Sequence, residues 1–321
     1  MLILKVKNFL DIEEANVDLT TKSIIIGYNS TSKSMLMKLG YTMLKSLQNI
    51  YLYTNGADNI DDNKSLQIIG RDFIETFGEP IARLFTNETL VELYCDDKLV
   101  ISVNLDEPKV NITANQFEFF RATVLYLSST SILDNYKSIA SGTPTGLNGI
   151  ATLSDSTCMA YDKVMLQAIF IGQTNGIDNW TGKGSIKESN NDLIIDEKNN
   201  VLLKDAGEYR NVQLVGNGIR LQNVLKNIEK SGTLQGDTSH IFIDEPENGI
   251  NPRLQGKIAA ILSNRSYNIM YTTHSPFMIK YSDVQSTKYY LSSKGEQGVK
   301  FIEVAYEDAL DFLSKPILGL Y

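Results

Sequence analysis

The chain has 321 residues, 42% of them hydrophobic and 21% charged, with a formal net charge of −8 and a sequence pI near 5.0. That is enough apolar material for one large domain, or for a domain with a sizeable insertion, and it excludes a disordered chain. The acidic balance argues against a protein that coats nucleic acid through a basic surface, although it leaves room for a local basic groove.

The N-terminal segment MLILKVKNFLDIEEAN carries acids too early for a signal peptide. No apolar run approaches the roughly 20 residues that a membrane helix needs. Cys95 and Cys158 are the two cysteines, far apart and without metal-ligand spacing. They read as small apolar core residues in a reducing, cytoplasmic compartment. No internal repeat or low-complexity tract is present.

Leu2 to Lys7 alternate apolar and charged, which predicts a half-buried edge strand. A second strand is expected near Ala15 to Leu19. Ser23 to Ile26 is a third, short and almost wholly apolar. It runs into Gly27, Tyr28, Asn29, Ser30, Thr31, Ser32, Lys33 and Ser34. Met35, Leu36, Leu39, Met43, Leu44 and Leu47 then recur at helical spacing.

Strand, polar loop, Lys-Ser and helix are the context that a phosphate-binding loop demands. Backbone N–H groups face the phosphates, Lys33 reaches the terminal phosphates, and the Ser34 hydroxyl can ligate Mg²⁺. The usual second glycine is replaced by Ser32, which predicts strain or weaker affinity in the loop. The plainer alternative is a serine-rich turn capping an amphipathic helix.

The middle of the chain is less regular. Tyr53 to Ser65 reads as a polar loop. Leu66 to Phe85 reads as helix, broken near Gly78-Glu79-Pro80. Leu90 to Cys95 and Leu99 to Leu105 read as a hairpin, and Thr123 to Leu127 as a strand. Ser138 to Asp155 is expected to be a long loop and Ala160 to Ile171 a helix. Asn175 to Asn191 is polar, with Trp180 as a local packing anchor. Asp192 to Ile195 and Val201 to Lys204 predict a second hairpin. Val212 to Val215 predicts a short strand, followed by a Gly216-Asn217-Gly218-Ile219-Arg220 turn that opens a helix to about Lys230.

Ile241 to Ile243 form a buried strand that ends in Asp244 and Glu245. Paired acids at the carboxyl end of a parallel strand suit a Mg²⁺ site and a general base. A solvated acidic loop is the alternative. Asn251-Pro252 caps a helix to Asn264, with Leu254, Ile258, Ile261 and Leu262 on one face. Tyr267 to Tyr271 is a strand that delivers Thr272-Thr273-His274-Ser275-Pro276. The chain has two histidines, and the position of His274 one strand–helix unit after the acidic pair favours a catalytic role. Tyr289 to Ser292, Val299 to Val304 and a helix over Glu307 to Leu313 complete the order.

Taken in this order, the motifs resemble the ABC-type ATPases of the SMC-like and OLD-like branch, which do not drive transport. Asn8-Phe9 is similar to that branch's first strand, and Gly27 to Ser34 to its Walker A loop. Val215 to Arg220 resembles its signature segment. Ile241 to Glu245 resembles Walker B with the catalytic glutamate, Asn248 to Pro252 the D-loop, and Thr273 to Pro276 the switch histidine. The match covers roughly residues 1–50 and 205–305, without a long heptad run or a fused nuclease domain.

The resemblance implies an α/β fold: a P-loop NTPase with an ABC-ATPase-like mixed central sheet flanked by helices. The core would be residues 1–50 and 205–321, with 51–204 an inserted α/β region. It implies ATP and Mg²⁺ as ligands. Gly27, Asn29, Ser30, Thr31, Ser32, Lys33 and Ser34 would bind nucleotide, and Ser34 with Asp244 would hold the metal. Glu245 would polarise the attacking water and His274 would contact the γ-phosphate. Gly218 and Arg220 would face nucleotide on a second copy. A glutamine loop is expected after Leu127.

The partners implied are a homodimer or higher homo-oligomer and a separate effector such as a nuclease, in defence against mobile elements. An ATPase of repair or recombination acting on nucleic acid is the second reading. A non-catalytic, nucleotide-gated scaffold is the third.

Overall fold

The computed structural model describes residues 1–54, 62–105, 109–110, 123–128, 133, 193–195, 201–205, 207–230, 234 and 238–318. The first three strands are β1 (Leu2–Phe9), β2 (Ile12–Asp18) and β3 (Lys22–Gly27), followed by α1 (Lys33–Thr54), α2 (Asp62–Phe77) and α3 (Ile81–Leu84). Four strands follow: β4 (Leu90–Cys95), β5 (Lys98–Val103), β6 (Lys109–Val110) and β7 (Val124–Leu127). Next come β8 (Leu193–Ile195), β9 (Val201–Asp205), β10 (Glu208–Asn211) and α4 (Asn217–Lys230). The chain then alternates through β11 (His240–Ile243), α5 (Pro252–Ser263), β12 (Asn268–Thr273) and α6 (Pro276–Lys280), and ends in β13 (Thr287–Lys294), β14 (Val299–Val304) and α7 (Tyr306–Leu318).

Among the described residues, eleven strands form one mixed sheet in the order β6-β5-β4-β1-β2-β14-β13-β3-β12-β11-β7. β8, β9 and β10 make a separate three-stranded antiparallel sheet. The parallel centre is β13-β3-β12-β11-β7. β3, β12, β11 and β7 are almost wholly buried because both faces are covered. Ile25, Phe242, Tyr126 and Met270 enter one core, with α1 and α2. Their neighbours Ile24, Ile26, Ile241, Ile243, Leu125, Leu127 and Tyr271 enter a second core, under α4 to α7. The alternation of a strand thus assigns its side chains to two layers of helix.

Three expectations need correction. β1 is interior, pairing β2 on one side and β4 on the other. Its alternation reports one exposed face, which an interior strand of an antiparallel segment also has. Residues 212–214 form a turn of 3₁₀-helix rather than a strand, begun by Asn211, whose side chain accepts from the Gln213 N–H. Leu254 is exposed, while α5 buries Ile258 and Leu262 of the expected face, together with Ala259.

β4 to β7, from within the expected insertion, run in the main sheet. Phe9 on β1 meets Phe73, Phe77 and Phe85 edge-on at 5.3–6.5 Å, which fixes α2 and α3 to that part of the sheet. Cys95 is buried. Cys158, Trp180, the 138–155 loop, the 160–171 helix and the glutamine-loop segment beyond Ser128 lie outside the described residues.

Candidate active site

Three neighbouring parallel strands deliver the site. β3 runs into the Gly27–Ser34 loop, β11 ends at Asp244, and β12, lying between them, ends at Thr273. All three point their carboxyl ends to the same edge of the sheet, where ligands bind in open α/β folds.

The loop turns tightly at Gly27, with φ +152°. A Cβ there would overlap the Ser292 side chain and come within 2.8 Å of the Ser292 carbonyl oxygen. The Ser292 hydroxyl donates to the Ile26 carbonyl and shares a 2.7 Å hydrogen bond with Thr31 Oγ1. Thr31 Oγ1 also sits 2.7 Å from the Tyr28 carbonyl, and its single proton is shared between that carbonyl and Ser292 Oγ. The loop is therefore shaped by its own side chains and by β13 behind it.

Ser30 and Ser32 take left-handed conformations, φ +60° and +52°. The strain expected at Ser32 is thus visible in the backbone. A non-glycine residue in this region costs roughly 1–2 kcal/mol. Ser32→Gly is expected to stabilise the protein by about 0.5–1 kcal/mol, after the extra backbone entropy of glycine is deducted. Urea unfolding of the two proteins measures it, and an unchanged or lower midpoint would show that Ser32 carries no such strain.

Lys33 begins α1 and is only 6% exposed. Its Nζ donates to the Tyr28 carbonyl at 2.7 Å and to the Gly27 carbonyl at 3.3 Å. Burial lowers its pKa, against the opposing pull of Glu245, Asp244 and Glu247. Asn29 and Ser30 are exposed at the loop tip, and Ser34 occupies the first turn of α1. Tyr28 stands 63% exposed, its ring 4.9 Å from that of Phe312 on α7.

Asp244 Oδ1 accepts from the Thr272 hydroxyl at 2.5 Å, and the same hydroxyl oxygen accepts from the Glu245 N–H at 3.0 Å. Glu245 is held at φ +44°. Strain of this kind at a loop carrying a carboxylate points to function. Its Oε1 lies 3.3 Å from His274 Nε2. The pKa of His274 is lowered, first by burial and then by Lys33, with Glu245 pulling the other way. The ring is therefore neutral near pH 7, able to donate at one nitrogen and accept at the other.

Ser34 and Asp244 offer one hydroxyl and one carboxylate. That donor set fits Mg²⁺, which keeps waters and phosphate oxygens and seldom uses an all-protein cage. Among the described residues, no group of three or more His, Cys, Asp or Glu could hold a metal. The fixed rotamer of Asp244 and the hydroxyl at the helix start suit the ion.

The Gly218 segment lies against the 248–250 end of the acidic loop. Asn217 Nδ2 donates to the Asn248 carbonyl at 3.2 Å, and Gly218 lies against Ile250. Arg220 is 7% exposed, and its Nε donates to the Val215 carbonyl at 2.7 Å. It braces the turn that opens α4.

Sequence reasoning missed Glu247. It is 8% exposed, and its Oε1 accepts from the Thr273 hydroxyl at 2.6 Å and the His274 N–H at 2.8 Å. The available signal was an acid three residues after Asp244, beyond the proline.

The fold is that of a P-loop NTPase in its ABC-type form, a large mixed sheet between helices, with the Gly27–Ser34, Asp244–Glu245 and His274 segments at the ends of three neighbouring strands. Among solved structures the chain is similar to an SMC head bound to the C-terminal winged-helix domain of ScpA, at 13% identity and TM-score 0.51, covering 96% of this chain and 98% of that one. It is also similar to the SMC head domain from Thermotoga maritima, at 9% identity, TM-score 0.47 and 94% and 98% coverage. An ATP-binding cassette of an ABC transporter in its ADP conformation aligns at 14% identity, TM-score 0.40 and 100% and 98% coverage. No family model and no curated protein matches the sequence.

Proposed function

We propose that the chain is an ATPase of the OLD-like, non-transporter branch that binds Mg²⁺-ATP at Gly27–Ser34 and hydrolyses it. The observation that carries this reading is the convergence of Lys33, Asp244, Glu245 and His274 at one sheet edge, with Glu245 and His274 at 3.3 Å. Lys33 grips the terminal phosphates once they replace the loop carbonyls as its partners. Ser34 and Asp244 would hold Mg²⁺, which would supply charge neutralisation at the phosphates. Glu245 accepts a proton from the attacking water, and neutral His274 hydrogen-bonds the γ-phosphate edge. These are the positioning and electrostatic parts that phosphoryl transfer uses.

Two copies close head to tail on ATP, and Gly218, on the turn that Arg220 braces, faces the nucleotide of the other copy. The Asn217–Asn248 hydrogen bond supports this by tying the signature turn to the D-loop. The cycle gates a separate effector, a nuclease in defence against mobile elements. One similar solved structure is itself bound to a separate partner domain. Among the described residues, no helix is long and apolar enough to cross a membrane.

Phosphate release by purified protein with Mg²⁺-ATP tests the reading. Turnover that rises more steeply than linearly with protein concentration is expected. Absence of turnover at every concentration, with and without DNA, would refute hydrolysis and leave a nucleotide-gated scaffold. DNA binding that weakens steeply with salt would favour the repair reading over effector gating.

A further inference from the structure

The acidic loop 244–251 and the histidine segment 272–275 are joined by three successive links. Thr272 Oγ1 donates to Asp244 and accepts from the Glu245 N–H. The Thr273 hydroxyl and the His274 N–H both donate to Glu247 Oε1. The Ser275 hydroxyl donates to Gln255 Oε1 at 2.5 Å, and Gln255 Nε2 donates to the Ile250 carbonyl at 2.8 Å. The outer links each hold a loop end against a regular element. The middle one alone grips the backbone of His274.

Its energetics are unusual. Glu247 is buried, and its second oxygen, Oε2, has no hydrogen-bond partner. A buried, half-satisfied carboxylate is costly. An apolar residue would fill the space more cheaply, so what the acid provides must be the two hydrogen bonds of Oε1. One of them fixes a main-chain group of the residue whose ring meets Glu245.

We infer that Glu247 is the positioning residue of the hydrolytic site, holding His274 in register with Glu245 and Lys33 through its backbone N–H. The inference rests on the ATPase reading for its meaning, but the geometry can be tested without turnover. Glu247 makes no contact with phosphate in this role. It determines where the imidazole stands.

Histidine NMR reads that position directly. The chain has two histidines, and His240 is buried with its pKa pushed down to about 4. A ring that titrates at higher pH is therefore His274. The charged groups facing it are Lys33, Glu245 and Asp244. In the wild type it should titrate below the ordinary 6.5. Glu247→Ala frees the segment, and the His274 titration is expected to move up toward 6.5 as the ring gains solvent.

Glu247→Asp, one methylene shorter, should move it the same way, and it serves if the alanine variant does not fold. Glu247→Gln should leave the titration low, because its amide oxygen can take both bonds. In phosphate release, kcat should fall about tenfold or more in the alanine and aspartate variants, with KM for ATP nearly unchanged and the glutamine variant close to wild type. A His274 titration unmoved in both shortened variants, or a glutamine variant as disturbed as alanine, would overturn the proposal. Lack of turnover in the wild type would count against the ATPase reading alone, with the NMR comparison still decisive for Glu247.

Discussion

Glu245→Gln is expected to reduce steady-state phosphate release by at least about 100-fold while ATP still binds. The amide keeps the shape and can still meet His274, but it cannot accept a proton from water. The backbone should tolerate the change: the positive φ at Glu245 is held by its N–H to Thr272 Oγ1, a main-chain contact that the substitution leaves in place. Blocked hydrolysis should also stop the closed state from opening. Light scattering of the variant with Mg²⁺-ATP is expected to show twice the monomer mass, and the monomer mass without nucleotide. Full turnover in the variant would remove Glu245 from the chemistry. A mass that never changes with ATP would refute the head-to-tail dimer.

The residues that meet at this sheet edge were legible because each sits in a short stretch that encodes its own geometry. An apolar strand followed by Gly27 and Lys33-Ser34, or by Asp244-Glu245, needs no distant partner to be read. Its neighbours in the sheet are another matter. β1 was expected at an edge because alternation shows that one face is exposed, and says nothing about whether β4, some eighty residues later, pairs on the far side. Val212 to Leu214 has the β-branched residue of a strand, but the Asn211 side chain begins a 3₁₀ turn there, a local hydrogen bond that outweighs propensity.

Glu247 was missed for a related reason. A glutamate between proline and asparagine in a loop reads as solvated. Only the approach of Thr273 and His274, twenty-six and twenty-seven residues downstream, makes it a buried acceptor. Arg220 shows the reverse case: its place in the motif was readable, but not that its guanidinium turns back to brace its own loop. Among the described residues in the middle of the chain, the β4–β5 hairpin and the helix break near Gly78 were legible from local alternation and turn residues, whereas the place of these strands in the main sheet depends on distant partners.

Lys33→Ala is expected to weaken ATP binding on the order of 10- to 100-fold and to abolish measurable turnover. Hydrogen bonds to charged groups contribute about 1.5–3 kcal/mol each, and about 1.4 kcal/mol is tenfold in affinity. The lysine is prepared for this role at some cost. Burial lowers its pKa, and its ammonium is held by the Tyr28 and Gly27 carbonyls, with Glu245, Asp244 and Glu247 as the nearby acids. Phosphate oxygens arriving at the loop would replace the two carbonyls as partners of the ammonium, and a charge-assisted hydrogen bond made at a buried amine gains more than one made at an exposed amine.

The fold should survive the substitution, since Gly27, Thr31 and Ser292 shape the loop without the lysine. Lys33→Arg is not a conservative rescue, because a planar fork cannot occupy the pocket between two carbonyls that a compact ammonium fills. Titration calorimetry with ATP, with circular dichroism as the check on folding, measures the effect. An alanine variant that is folded and binds ATP as tightly as wild type would mean that the loop does not hold phosphate through Lys33, and would favour the plainer reading of a serine-rich turn that caps α1.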